Sequence, residues 1–190
     1  MTSYLRKRQK NLFTRYRLRK RTEKVLGILK KNYKPGLQVL DIGAADGEML
    51  SRLNAELQLK KAVGIEPSDE LRLAKKDTYI ELLAGYGENL PFNENEFDIV
   101  IIASVIEHVT DVRKVLSESY RVLKKNGLIV LTAVDPFLDK IATFLRFKPN
   151  DHLRRYNFKQ LKTLLVENKF YVKLTERFGP IFYQLVVAEK

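Results

Sequence analysis

Five short β-type runs, LQVLDIG, KAVGIE, YIELLAG, FDIVIIAS and GLIVLTAV, succeed one another between residues 37 and 134. Helical stretches lie among them. That alternation limits the fold more than any other feature of the chain. The helical stretches are GEMLSRLNAEL, SDELRLAKKD and DVRKVLSESYRVLKKN. Strands separated by crossover helices return parallel to one another, so the pattern predicts an α/β fold with a parallel sheet. The rhythm changes after residue 135. A helix over about 157–168 is followed by FYVKLTERF, a Gly179-Pro180 turn and IFYQLVVAEK, two β-type runs joined as a hairpin. The last strand is therefore expected to run antiparallel to its partner.

One domain is expected, because 190 residues suffice for one well-buried core and are short for two. There is no cysteine, which excludes disulfides, iron–sulfur clusters and thiolate zinc sites. With two histidines, a His-rich metal site is not expected either. No run approaches the roughly 20 apolar residues of a membrane span. The opening MTSYLRKRQKNLF is basic without the apolar region of a signal peptide, so a cytoplasmic protein is expected.

The net charge of +12 is unevenly placed. Residues 1–35 hold 13 Lys and Arg against a single acid, Glu23, while residues 36–190 hold 22 of each sign. This divides the chain into a basic helical segment, 1–35, and a neutral domain, 36–190. Within the first, Leu12, Tyr16, Leu18, Val25, Leu26, Leu29 and Tyr33 fall mostly at helical spacings, and KPG at 34–36 ends the helix.

The stretch VLDIGAADGEML, residues 39–50, begins as a buried strand and ends as a helix. In an open parallel sheet a ligand sits outside the carboxyl ends of the strands, where the strand order reverses. Gly43 and Gly47 can take backbone angles closed to other residues, and the next helix offers its N-terminal amides. Asp41 can accept hydrogen bonds from those amides or from a cationic ligand. The plainer reading is a tight turn with Asp41 and Asp46 as solvated caps. Glu66 shifts the balance. It ends the next strand in VGIEPSD, 23 residues after Gly43, where a carboxylate in a nucleotide-binding βαβ unit grips two ribose hydroxyls.

VLDIGAADG, VGIEPS, LPFNENEFDIVIIASVIEHV and ESYRVLKKNGLIVLTA, taken in order, resemble the successive motifs of class I S-adenosylmethionine-dependent methyltransferases. The likeness is greatest to the small group that contains the quinone-biosynthesis methyltransferases. It runs from about residue 37 to 135. It implies a Rossmann-like, seven-stranded, mostly parallel sheet with an antiparallel last strand and helices on both faces, with S-adenosyl-L-methionine as cofactor. On that resemblance Gly43, Ala45 and Gly47 wrap the methionine end of the cofactor, Asp41 supports the loop, and Glu66 holds the ribose. Ala45 stands where the middle glycine is usual. Tyr86 stands where relatives carry an adenine-binding Asp, so Gly87 and Glu88 are the expected neighbours of the adenine. An NAD-dehydrogenase reading would need G-x-G-x-x-G and a separate substrate region, and the spacing here is different.

Ser104, Glu107 and His108, in SVIEHV after the fourth strand, are expected to face the transferred methyl group or to cap the following helix. Ser104 is assigned to the cofactor side and His108 to proton transfer. The Asn- or Asp-Pro-Pro-aromatic motif of amide and nucleobase methyltransferases is missing there. Relatives acting on quinol precursors carry E-x-x-E-H, of which Ser104 replaces the first Glu, so no metal is expected. The segment 135–157 is apolar through Phe137, Leu138, Ile141, Phe144, Leu145 and Phe147, with Asp135, His152, Arg154, Arg155 and Tyr156 added. It is the expected acceptor pocket. His152 is the first candidate base, since imidazole titrates near neutral pH; a solvated loop ahead of a helix capped by Asn157 is the alternative. The expected reaction is O-methylation of a small-molecule or lipid-linked acceptor. The basic N-terminus, with Tyr4, Phe13 and Tyr16 among its cations, has the make-up of a surface for an anionic membrane or RNA, which would make the protein peripheral at a membrane or an RNA methyltransferase; the resemblance implies instead that residues 12–33 form a helix that closes over the cofactor, which leaves the phosphate-meeting role to the first dozen residues. The third possibility is a methyltransferase-like binding protein without catalysis.

Overall fold

The computed structural model describes residues 12–67, 79–137, 153–179 and 183–190. In chain order the elements are α1 (Leu12–Lys31), β1 (Gln38–Ile42), α2 (Glu48–Leu57), β2 (Lys61–Glu66), β3 (Glu81–Ala84), β4 (Phe97–Ala103), α3 (Val112–Val122), β5 (Leu123–Val134), α4 (Phe158–Glu167), β6 (Tyr171–Phe178) and β7 (Tyr183–Glu189). The stretch SDELRLAKKD, expected as a helix, lies outside the described residues.

The strands form one seven-stranded sheet in the order β3-β2-β1-β4-β5-β7-β6. The first five are mutually parallel, and β7 is antiparallel to both β5 and β6. That is the topology the terminal hairpin and the βα alternation predict. β4 reads FDIVIIA and is buried throughout, as a central parallel strand covered on both faces must be. Alternate side chains of the sheet feed two cores. One holds Leu40, Ile42, Val100, Ile102, Ile129 and Leu131 under Val115 and Leu116 of α3 and Leu161 and Leu165 of α4. The other holds Val39, Ile99, Ile101 and Val130 under Val25 and Leu29 of α1 and Leu50 and Leu53 of α2.

α1 thus caps one face of the sheet. Its ion pairs fix it there: Lys24 meets Glu176 of β6 at 2.5 Å and Lys30 meets Glu56 of α2 at 2.8 Å. At its amino-terminal half Arg17 Nε donates to the Tyr183 hydroxyl at 2.6 Å.

The helix expected over 111–126 is shorter. It ends at Val122, and Leu123 is already extended, pairing with Phe97 of β4. The reason lies in the partners of the last helical carbonyls: Asn95 N donates to Arg121 O and Glu96 N to Val122 O. The strand entering β4 takes the acceptors that another helical turn would use. Sheet pairing of two fully buried side chains, Phe97 and Leu123, overrides the helix propensity of Leu-Lys-Lys. α4 begins in a capping box, Asn157 accepting from Gln160 N while the Gln160 side chain accepts from Asn157 N. β6, at the edge of the sheet, is broken by a register shift between Val172 and Leu174. Among the described residues no helix is long and apolar enough to cross a membrane.

Candidate functional site

The strand order reverses between β1 and β4, so the crevice outside their carboxyl ends is where an open α/β sheet binds its ligand. Four loops meet there. In the first, Gly43, Ala45 and Gly47 all take left-handed backbone angles, φ +78°, +53° and +75°. Gly43 N and Ala44 N donate to Ile65 O at 2.8 and 3.2 Å, tying the loop to β2. Ala45 N donates to Glu66 Oε2 at 2.7 Å. The third loop is tied to the second through Gly85 N, which donates to Glu66 O at 3.0 Å. A Cβ on Gly43 would lie 2.2 Å from Cγ2 of Val105 in the fourth loop. The missing side chain of Gly43 therefore makes room for protein, a role that ligand approach alone does not describe. Gly87 is alike: a Cβ there would lie 2.8 Å from Ile42 Cγ2.

The sequence candidates distribute as follows. Asp41 is 2% exposed and, two residues on from Val39, faces the α1 side of the sheet. Gly43, Ala45, Gly47 and Glu66 form the first rim of the crevice. Gly87 is buried on Ile42, and Glu88 Oε1 accepts from Thr110 Oγ1 at 3.1 Å, linking the third loop to the fourth. Tyr86 is 65% exposed, beside Gly85 at the end of β3. Ser104, also left-handed at φ +56°, donates its N–H to Thr132 O at 2.8 Å, and its Oγ is buried without a hydrogen-bond partner. His108 is exposed. His152 lies outside the described residues, as do residues 138–151 of the expected acceptor pocket.

Glu107 is a buried clamp, and α3 is capped instead by Asp111, which accepts from Lys114 N. It is 1% exposed. Its Oε1 accepts from Val134 N at 2.7 Å and its carbonyl accepts from Leu153 N and Arg154 N. Thus it holds together the loop after β4, the end of β5 and the approach to α4. Asp135 closes the same corner, accepting from Phe137 N at 3.0 Å and from Arg177 Nε at 3.3 Å. The third loop is fixed by Arg121 and Glu118. Glu118 accepts from Leu90 N, and Arg121 donates to Leu90 O and Phe92 O. The Arg121 hydrogen bond holds the Glu118 carboxyl below its ordinary value, burial working against it.

Arg21, which the sequence groups with the surface cations of the basic segment, is buried. It sits in α1 three residues after the buried Leu18, four before Val25 and seven before Ile28, and is itself only 9% exposed. The signal was present as a break in an apolar stripe, Leu18, Arg21, Val25, Ile28, but it lay inside a run of cations that read as surface. Its Nε is buried without a hydrogen-bond partner.

These features fit the cofactor that the sequence resemblance implies. A carboxylate ends β2 where a ribose would need acceptors, a turn of left-handed residues leads into a helix, and the buried Ser104 Oγ after β4 has no hydrogen-bond partner. They suit a ligand carrying hydroxyls.

The methyltransferase domain family matches residues 40–131. An uncharacterized protein of Methanocaldococcus jannaschii is 26% identical over 84% of this chain and 85% of its own length. The ubiquinone/menaquinone biosynthesis C-methyltransferase of Rhizobium etli is 35% identical over 62% of this chain and 50% of its own. The chain thus spans about half the length of that relative. Among solved structures, an S-adenosylmethionine-dependent methyltransferase of Methanosarcina mazei superposes with a TM-score of 0.72 at 18% identity, over 86% of this chain and 96% of the other.

Proposed function

Because the chain belongs to the class I S-adenosylmethionine-dependent methyltransferases, we propose that it methylates an oxygen of a small-molecule or lipid-linked acceptor. The observation that carries the cofactor half of this reading is the Glu66 carboxylate, held by the Ala45 amide at 2.7 Å beside the glycine turn at the switch point. S-adenosylmethionine supplies an electrophilic methyl carbon on a sulfonium centre. The chain's part is to bind, orient and exclude water, which suffices for much of the rate of an in-line displacement. Glu66 accepts from the ribose hydroxyls. Gly43, Ala45 and Gly47 wrap the methionine end with Asp41 beneath them. Gly87 and Glu88 border the adenine, and Ser104 lies on the methyl side. His108 and His152 are the candidates to take the proton of an acceptor hydroxyl.

The relative from Rhizobium etli, named as a C-methyltransferase, favours a second reading with the same machinery. Loss of a proton from a ring hydroxyl raises nucleophilicity at the neighbouring ring carbon as well as at oxygen, so one base serves either acceptor atom.

The described part of the basic segment offers less to RNA than its composition promises. Lys20, Lys24, Lys30 and Lys34 are paired with Glu23, Glu176, Glu56 and Asp98.

Calorimetric titration with S-adenosylmethionine and S-adenosylhomocysteine, against Glu66→Ala, tests the reading. Micromolar binding lost in the variant is expected; a folded protein that binds neither ligand refutes it. Product analysis on a panel of phenolic and quinol acceptors then separates O- from C-methylation.

A further inference from the structure

Val134, the last residue of β5, is gripped by two side chains. Its N–H donates to Glu107 Oε1 at 2.7 Å, and its carbonyl accepts from Gln184 Nε2 at 3.3 Å. Gln184 Nε2 also donates to Tyr156 O at 2.7 Å. Each gripping side chain has an oxygen left over. Glu107 Oε2 and Gln184 Oε1 are buried and have no hydrogen-bond partner among the described residues. Asp135, the next residue along, differs: one of its oxygens takes the Phe137 N–H and the other the Arg177 guanidinium.

The two idle oxygens belong to one place. The N–H and C=O of an extended residue point to the same side of its strand. For Val134 that is the side of β4, because Thr132, two residues before it, gives its carbonyl to Ser104 N just past β4. Glu107 comes from the same loop as Ser104, and Gln184 reaches across from β7, where it pairs with Ala133. Both side chains therefore end beside Val134, beyond the end of β4, at the loop that borders the crevice. Their neighbours Ile106, Ala133 and Tyr156 belong to the core under α3 and α4.

A buried hydrogen-bond acceptor without a donor is costly, and folded proteins keep few of them. Here two are held at one residue, with an apolar surround, and a ligand that brings two donors on an apolar frame relieves both. We propose that Glu107 Oε2 and Gln184 Oε1 form a subsite that holds two neighbouring hydroxyls of an aromatic ring. This rests on the methyltransferase reading above and narrows its methyl acceptor to a ring with adjacent hydroxyls.

Ligand-observed NMR titration of the whole chain, with and without S-adenosylhomocysteine, compares three probes. Catechol carries two adjacent hydroxyls, phenol one, and benzylamine a single ammonium group. Catechol is expected to bind about 10-fold more tightly than phenol, the effect of satisfying one more buried acceptor, and more tightly than benzylamine. Equal binding of catechol and phenol, tighter binding of benzylamine, or no binding of catechol overturns the inference. Glu107→Gln keeps the oxygen that serves Val134 N and turns the idle one into an N–H. A phenolic oxygen, its lone pair drawn into the ring, accepts poorly from that group. The variant is expected to lose the preference for catechol over phenol and to bind S-adenosylhomocysteine as the parent does. A preference that survives the substitution, or an equal loss of S-adenosylhomocysteine, refutes the assignment. Should Glu107→Gln fail to fold, the comparison of catechol with phenol on the parent protein decides alone. If the parent binds catechol but not S-adenosylhomocysteine, the cofactor reading falls while the subsite stands.

Discussion

Gly43→Ala measures how tightly the first and fourth loops of the crevice are joined. Two costs add. At φ +78° a side chain strains the backbone by about 1–2 kcal/mol. The new Cβ would also lie 2.2 and 3.0 Å from the two Cγ atoms of Val105 and 3.1 Å from its Cβ, overpacking that costs about 1–3 kcal/mol. The variant should lose about 2–5 kcal/mol, a large part of the roughly 5–15 kcal/mol that holds a domain folded. Val105→Ala alone should cost about 1–2 kcal/mol for the two methyl groups. In the double variant the contacts at 2.2 and 3.0 Å vanish and the one at 3.1 Å remains. Its loss should therefore fall short of the sum of the single losses by about 1–3 kcal/mol. There is no tryptophan, so urea unfolding is best followed by circular dichroism. Additivity within about 0.5 kcal/mol would refute the reasoning, since it would mean that Val105 is not what keeps a side chain off Gly43.

Glu107→Ala strips Val134 N of its acceptor and should cost about 2–4 kcal/mol, whereas Glu107→Gln keeps an acceptor oxygen for Val134 N and should be close to neutral in the same denaturation assay. The Asp98 carboxyl is pushed up by burial, but hydrogen bonds from Lys124, Lys34 and Gln38 N outweigh this and hold it below its ordinary value of 3.8. Its contribution to stability is therefore complete above the unfolded value and is lost as pH falls through the lowered folded one. Asp98→Asn should flatten the fall in stability below about pH 4, read from melting temperatures across an acid series. Asn157→Ala, which removes half of the capping box of α4, should lower stability by about 0.5–2 kcal/mol, and Asn157→Ser should restore most of it.

The strands were legible because each is a short apolar run with its own periodicity, and the Gly43 turn and Glu66 because turn chemistry is local. What escaped depends on residues far apart in the chain. The end of α3 is set by Asn95 and Glu96, whose amides meet its last carbonyls; nothing in VLKKNG announces that. Glu107 reads as a partner of His108 until Val134, 27 positions on, takes its oxygen. Arg21 lies within a run of Arg and Lys in α1, and nothing local marks it out. Only the packing of the helix on the sheet separates the one that faces inward from those that meet acids at the surface. Ala45 stands where the resemblance places a glycine, and its left-handed φ of +53° shows why glycine is usual there.

The interruption in β6 also bears on how the molecule behaves at high concentration. An edge strand exposes a row of amides and carbonyls that a second polypeptide can extend into a fibril-like ladder. Here the row is broken where the register shifts between Val172 and Leu174, and the residue between them is Lys173, whose ammonium pairs with Glu189 at 3.1 Å. A strand arriving at that edge meets a twist and a charge beside the exposed ring of Tyr171. The opposite edge, β3, has four residues, too few for a long ladder. Both rims of the sheet are thus poor templates for aggregation.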